Sequence, residues 1–234
     1  MFYPLPKKIQ LVATQAKWSL SATQSVLLVI GLQQLQAEAE WSNSELALNV
    51  LRCIQKAQAL DVPILNLDLA NPAETMQRLG EHLSDRQQLV VTGLITPVAK
   101  ELLEHIHSVS EQICVINDAI ALPNLEQHVQ WIEKISLQHM LHMNTQSLLR
   151  LWSLSAPKEF ILSERGILYA IAEALEISPL ELDLVQDLQA YALDSVAVMS
   201  LVGLWRANGA NISYEDVLHS QNLEKLIKQL RADS

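Results

Sequence analysis

The feature that most constrains this chain is a change of hydrophobic period partway along it. From residue 25 to about residue 137, short apolar runs alternate with amphipathic stretches, whereas after Trp152 every apolar pattern repeats at the 3.6-residue period of a helix. The short runs are SVLLVIG (25–31), VPILNLD (62–68), QLVVTG (88–93) and ICVIND (113–118), and helical patterns over 43–60, 72–83, 97–109 and 124–137 separate or follow them. Strands that are apolar on both faces need cover on both sides, which a parallel sheet with crossover helices supplies. The expected architecture is therefore α/β, a doubly wound parallel sheet. Helical patterns over 160–177, 195–208, 214–219 and 222–232 then predict a small four-helix bundle. Residues 153–160, SLSAPKEF, carry two serines and a proline between the two patterns and read as a linker. The expected domains are residues 1–153 and 157–234.

Composition narrows the function classes. With 234 residues, half of them hydrophobic, the chain can bury a full core, which excludes a disordered or fibrous protein. Sixteen Lys and Arg against 26 Asp and Glu give a formal charge of −10, so no general field would draw a nucleic-acid backbone to it. Cys53 and Cys114 lie in the apolar runs NVLRCIQ and QICVIND with no CxxC spacing, as suits reduced core thiols rather than a disulfide or zinc site. The longest apolar run, residues 26–32, falls far short of the roughly 20 residues that span a bilayer, and the start lacks the apolar core of a secretion signal. A soluble, cytoplasmic protein with no membrane partner is expected.

The most informative string is LQAYALDSVAVMSLVGLW, residues 188–205. Asp194 and Ser195 stand immediately before an apolar-periodic helix, where either could cap the orphan backbone amides. A serine there also faces the positive end of the helix dipole, which favours an attached phosphate. His105 and His107, and His139 and His142, lack the spacing of a zinc helix, and no G-x-S-x-G elbow supports a Ser-His-Asp triad. Asp68 and Asp118 fall at strand ends, where turn capping accounts for them.

The LDS motif, the long first helix, the loop ELDLVQDLQAYA, the helix ending WRANG and the short helix before NLEKLIKQL resemble an acyl or peptidyl carrier domain. Through SVAVMSLVGLWR the likeness is strongest to the aryl carrier domain of the bifunctional isochorismatase and aryl carrier proteins of catechol siderophore assembly. That resemblance implies that Ser195, preceded by Asp194, receives 4′-phosphopantetheine from a phosphopantetheinyl transferase. It also implies an aryl-AMP ligase and the condensation domain of a nonribosomal peptide synthetase as partners. By the same resemblance, the exposed members of the set Val196, Met199, Val202, Tyr214 and Leu218 receive such partners. In so small a bundle most of these are expected in the core, and Met199 and Tyr214 are the docking candidates.

The first half resembles the isochorismatase-like domain of the same family through VLLVIGLQQ, VVTGLITPVAK and ICVINDAIA. The catalytic aspartate implied by that resemblance falls at Gly31 and the Gly-Cys pair at Ala99-Lys100. Only residues 69–88 stand where the family has a long insert bearing its catalytic lysine, which Lys100 alone could replace from another position. The expectation is a degenerate isochorismatase-like domain with no catalytic residue, forming a homo-oligomer and serving as scaffold to an aryl carrier that holds a 2,3-dihydroxybenzoate or salicylate type acid as a thioester. A bifunctional enzyme that still hydrolyses an isochorismate-like ether is the alternative. A fatty-acid or polyketide carrier is a third reading, against which Trp205-Arg206 and the fusion argue.

Overall fold

The computed structural model describes residues 3, 16–69, 77, 79–83, 86–109, 112–175 and 177–232. The chain divides into two compact units, Met1–Ser155 and Ala156–Ser234.

The first unit is built on five parallel strands: β1 Ser25–Ile30, β2 Ile64–Leu67, β3 Gln88–Leu94, β4 Ile113–Ala121 and β5 Leu141–Met143. Their order is β2-β1-β3-β4-β5, with every neighbouring pair parallel. The order reverses between β1 and β3, as in a doubly wound sheet, so a crevice is expected at the carboxyl ends of those two strands. All six residues of β1 are buried, because its side chains alternate between two cores. Leu27 and Val29 join one face with Ala47, Val50 and Cys53 of α2 (Glu45–Ala59) and Trp152 of α5 (Thr145–Leu154). Val26, Leu28 and Ile30 join the other with Leu103 and Ile106 of α3 (Pro97–Val109) and Ile132 and Ile135 of α4 (Leu125–Leu137). A short α1, Leu32–Gln36, follows β1 directly. The α/β expectation holds.

Three local differences have physical causes. Strand β5 and helix α5 have no counterpart in the sequence reading, since LHM offers only three residues and no β-branched side chain. Strand β4 runs on through Asp118 to Ala121, with a register shift against β3 between Val91 and Gly93, so Asp118 lies inside a strand rather than after one. Of the helix expected over 72–83, residues 77 and 79–83 are helical, and 72–76 and 78 lie outside the described residues.

The second unit is helical: α6 Lys158–Ile161, α7 Glu164–Leu175, α8 Ser195–Ala207, α9 Tyr214–His219 and α10 Leu223–Ala232. The single helix expected over 160–177 breaks in two because Ser163 caps the second piece. Its hydroxyl donates to the Phe160 carbonyl (2.6 Å) and accepts from the Gly166 amide (3.0 Å). A Cβ on Gly166 would stand 1.9 Å from the Phe160 carbonyl oxygen, so only glycine permits this turn. The second unit's buried side chains include Trp205, Ile167, Ile171, Val198, Val217 and Leu226. Among the described residues no helix is long and apolar enough to cross a membrane.

Candidate functional site

Two places in the molecule have the position of a site, the start of α8 and the carboxyl edge of the sheet.

The first is presented by the loop between α7 and α8, which is held by its own polar groups. Ser178 and Glu181 form a capping box around the 3-10 turn Pro179–Glu181. The Tyr191 hydroxyl accepts from the Asp183 amide (2.6 Å) and donates to the Asp183 carbonyl (3.1 Å). Asp187 caps the 3-10 turn Leu188–Tyr191 and bridges to Asn222, and the Glu224 amide donates to the Leu184 carbonyl (3.0 Å). Ala192 then takes a left-handed conformation at φ 51° and turns the chain into Asp194.

Asp194 is the N-cap of α8, its Oδ1 accepting from the Ala197 amide at 2.7 Å. That settles the division of labour between the two adjacent residues. Ser195 is exposed, and among the described residues its hydroxyl makes no hydrogen bond. The hydroxyl is thus displayed at the first turn of a 13-residue helix, where the amide ends favour a phosphate ester. Beside it lies a pocket of about 160 Å³ lined by Leu188, Leu193, Val198, Val217 and Leu218. Sequence periodicity marked Leu218 and missed Leu193 and Val217, which reach the pocket only through the fold of the loop and of α9.

The expectation that most of the flagged surface residues are core is corrected. Val196 is 75%, Met199 60% and Leu218 39% exposed, Tyr214 is half-buried, and only Val202, at 6%, belongs to the core. The buried stripe of α8 is Val198, Leu201, Val202 and Trp205, which leaves Val196 and Met199 on the opposite side. Around this apolar face the charge is one-sided. Residues 166–205 contain Glu173, Glu176, Glu181, Asp183, Asp187 and Asp194 with no lysine or arginine. Two further carboxylates, Glu215 and Asp216, open α9, where Ser213 holds Asp216 below the usual carboxylate range by donating from its hydroxyl (2.7 Å) and its amide (2.8 Å).

At the sheet edge, Gly31 follows β1 at φ 61° and Gly93 lies in β3 at φ 100°. A Cβ on Gly93 would stand 2.2 Å from the Ile30 carbonyl oxygen, so the two strand ends approach as closely as backbone allows. A Cβ on Gly31 would meet Leu94 Cβ at 3.1 Å, Leu69 Cδ1 at 3.2 Å and Gln34 Oε1 at 3.3 Å. A side chain at residue 31 would thus start out against Leu94, Leu69 and the polar end of Gln34. Ala99 is buried in the first turn of α3, and Lys100 beside it is half-buried. Asp68 is exposed just after β2.

Asp118 is mostly buried, and its Oδ1 accepts from both the amide (2.7 Å) and the hydroxyl (2.8 Å) of Thr145, fastening the start of α5 to β4. Burial pushes its carboxyl above the ordinary range. Cys53 and Cys114 are free and buried. Burial raises both thiols, that of Cys53 to about 12, which leaves them protonated and inert. His105 and His139 are exposed, His107 and His142 half-buried, and among the described residues no group of three His, Cys, Asp or Glu could hold a metal ion.

Comparison with known proteins agrees with this geometry. Residues 165–230 match the family described as "Phosphopantetheine attachment site". The chain is also similar to the isochorismatase of Bacillus subtilis (strain 168), 27% identical over 176 residues that cover 70% of this chain and 54% of that protein. It spans about half the length of that curated relative. The exposed hydroxyl, the capped helix start and the adjoining pocket fit a phosphopantetheinyl arm, so this chain, related in sequence to isochorismatase, carries in its helical unit a phosphopantetheine-binding carrier domain whose cofactor is covalently attached 4′-phosphopantetheine.

Proposed function

We propose that the protein is an aryl carrier of nonribosomal siderophore synthesis in the cytoplasm, charged at Ser195, with its α/β unit a non-catalytic scaffold. The observation that carries the reading is the exposed Ser195 hydroxyl at the start of α8, left unengaged because Asp194 does the capping. In the charging step CoA, bound by a phosphopantetheinyl transferase, is the donor. The Ser195 oxygen bonds to the phosphorus of the pantetheine arm, the bond to 3′,5′-ADP breaks, and the serine proton leaves to the transferase's base. Once attached, the arm supplies a terminal thiol that holds the aryl acid as a thioester. The chain's own residues present and orient that arm: Asp194 fixes the helix start, and the bonds of Asp183, Asp187 and Tyr191 hold the loop that leads to it. Val196 and Met199 on α8, with half-buried Tyr214 on α9, offer the apolar surface on which the aryl-AMP ligase and the condensation domain dock.

The non-catalytic reading of the α/β unit is supported at Gly31, where no carboxylate is available and the neighbouring space is taken by Leu69 and Leu94. Exposed Leu48 and Leu51, one turn apart on α2, support its use as a homo-oligomer surface. The similarity to an isochorismatase favours the second reading, in which the unit still hydrolyses an isochorismate-like ether.

Intact-mass spectrometry after incubation with CoA and a promiscuous transferase tests the charging step. The protein should gain about 340 Da, the mass of the phosphopantetheinyl group, and Ser195→Ala should gain nothing while keeping its fold. Full modification of that variant would refute the site. Pyruvate release from isochorismate by the wild-type protein would replace the scaffold reading by the second one, and light scattering that finds a monomer would remove the oligomer.

A further inference from the structure

The carboxyl edge of the sheet holds a titratable group that carrier chemistry leaves unused. His128, in the first turn of α4, is fully buried. Its Nδ1 lies 2.7 Å from the Tyr3 hydroxyl, and the two rings meet edge to face with centroids 5.7 Å apart and planes at 79°. The same hydroxyl accepts from the amide of Leu122, the residue that follows β4, at 3.2 Å. The Leu122 amide uses one acceptor position of the Tyr3 oxygen, and among the described residues the hydroxyl proton has no acceptor other than Nδ1. Given to Nδ1, that proton leaves the nitrogen bare, so the neutral ring carries its own proton on Nε2, which is buried and makes no hydrogen bond of normal geometry among the described residues.

We infer that Tyr3 and His128 form a latch at the carboxyl edge of the α/β unit, closed while the imidazole is neutral and opened when Nδ1 takes a proton. The added proton comes from solvent and turns Nδ1 from acceptor into donor. The Tyr3 proton has then lost its acceptor, and a charged ring is left in a buried place. Release of Tyr3 relieves both and frees the Leu122 amide. Burial, the larger influence, already holds the imidazole below its usual range, against a weaker opposite pull from the Asn117 backbone. Of the charged and titratable groups on elements around α4, Asp118 lies on β4, His142 on β5, and Glu104 on α3 is paired with Lys134 at 2.6 Å, and none of them shifts the ring. With the folded value depressed, the contribution of the neutral ring is fully present above the unfolded value of about 6.5 and is lost as pH falls through the folded value.

The latch stands independently of the carrier reading, and its readout is local. Amide exchange of Leu122 in the ¹⁵N-labelled full chain, expressed as a protection factor between pH 8 and 5, should fall about tenfold or more as His128 titrates. Tyr3→Phe, which lacks the bridging oxygen, should show low protection at every pH. His128→Asn, whose Oδ1 can accept near the place of Nδ1 without titrating, should stay protected with no pH step. Circular dichroism confirms that each variant is folded. Unchanged Leu122 protection in the wild type through the His128 titration, wild-type protection in Tyr3→Phe, or a surviving pH step in His128→Asn would each overturn the latch.

Discussion

The start of α8 and the switch point of the sheet are both places where a folded chain can display a reactive group, and here they are finished in opposite ways. At α8 the polar requirements of the helix end are met by Asp194, so the next side chain, Ser195, faces solvent with its hydroxyl uncommitted. At the switch point two glycines of positive φ hold the strand ends together, and a Cβ at residue 31 would press on Leu94, Leu69 and Gln34 at 3.1–3.3 Å. The difference teaches that a site is made as much by what relieves its neighbours of structural duty as by the reactive residue. A glycine needed for packing leaves no such freedom.

The comparison breaks first at Gly93. Gly93→Ala places a methyl group 2.2 Å from a carbonyl oxygen at φ 100°, and it should cost the α/β unit about 4 kcal/mol or more. Thermal melting checks this, and a loss below about 1 kcal/mol would mean that the strand ends are not packed as described. Gly31→Asp puts back the missing carboxylate. It should cost about 2 kcal/mol through its positive φ and tight contacts, and isochorismate should still yield no pyruvate.

On the open side, Met199→Ala and Tyr214→Ala should each weaken aryl loading or onward transfer by about 1 to 2 kcal/mol while phosphopantetheinylation is less affected. Unchanged transfer kinetics in both would place the partner elsewhere. The smallest effect is expected at Asp118. Burial raises its folded pKa, so its contribution to stability is fully present below the unfolded value and is lost as pH rises through the folded one. Asp118→Asn keeps an oxygen for both Thr145 bonds and removes the buried charge. At pH 7 it should leave stability unchanged or raised by up to about 1 kcal/mol, with the gain fading toward pH 4 in denaturant titrations. A marked loss would give the carboxylate a role beyond fastening α5.

Much of this was legible in the residues. Continuous apolar runs such as SVLLVI specify strands buried on both faces, and the loss of such runs after Trp152 marks the helical unit. What periodicity could not resolve is which apolar residues of α8 are core. Val198, Leu201, Val202 and Trp205 face the bundle, while Val196 and Met199 do not, and only the packing partners decide that. The break between α6 and α7 depends on a contact between Gly166 and Phe160 that no propensity encodes. A carboxylate in the run INDA looks like a strand end, yet Thr145, distant in sequence, satisfies Asp118 within the strand. Asp194 and Ser195 were equal candidates for the cap until backbone geometry chose between them.

The account's central claim is that the reactive group of this chain is the Ser195 hydroxyl. Tandem mass spectrometry of the protein digested after treatment with CoA and a transferase tests it most directly, by locating the labile phosphopantetheinyl group on a peptide. The account predicts the group on the peptide containing Leu193, Asp194 and Ser195, with fragment ions placing it on Ser195. Its appearance on any other residue, or its absence from a folded, transferase-treated protein, would contradict that claim.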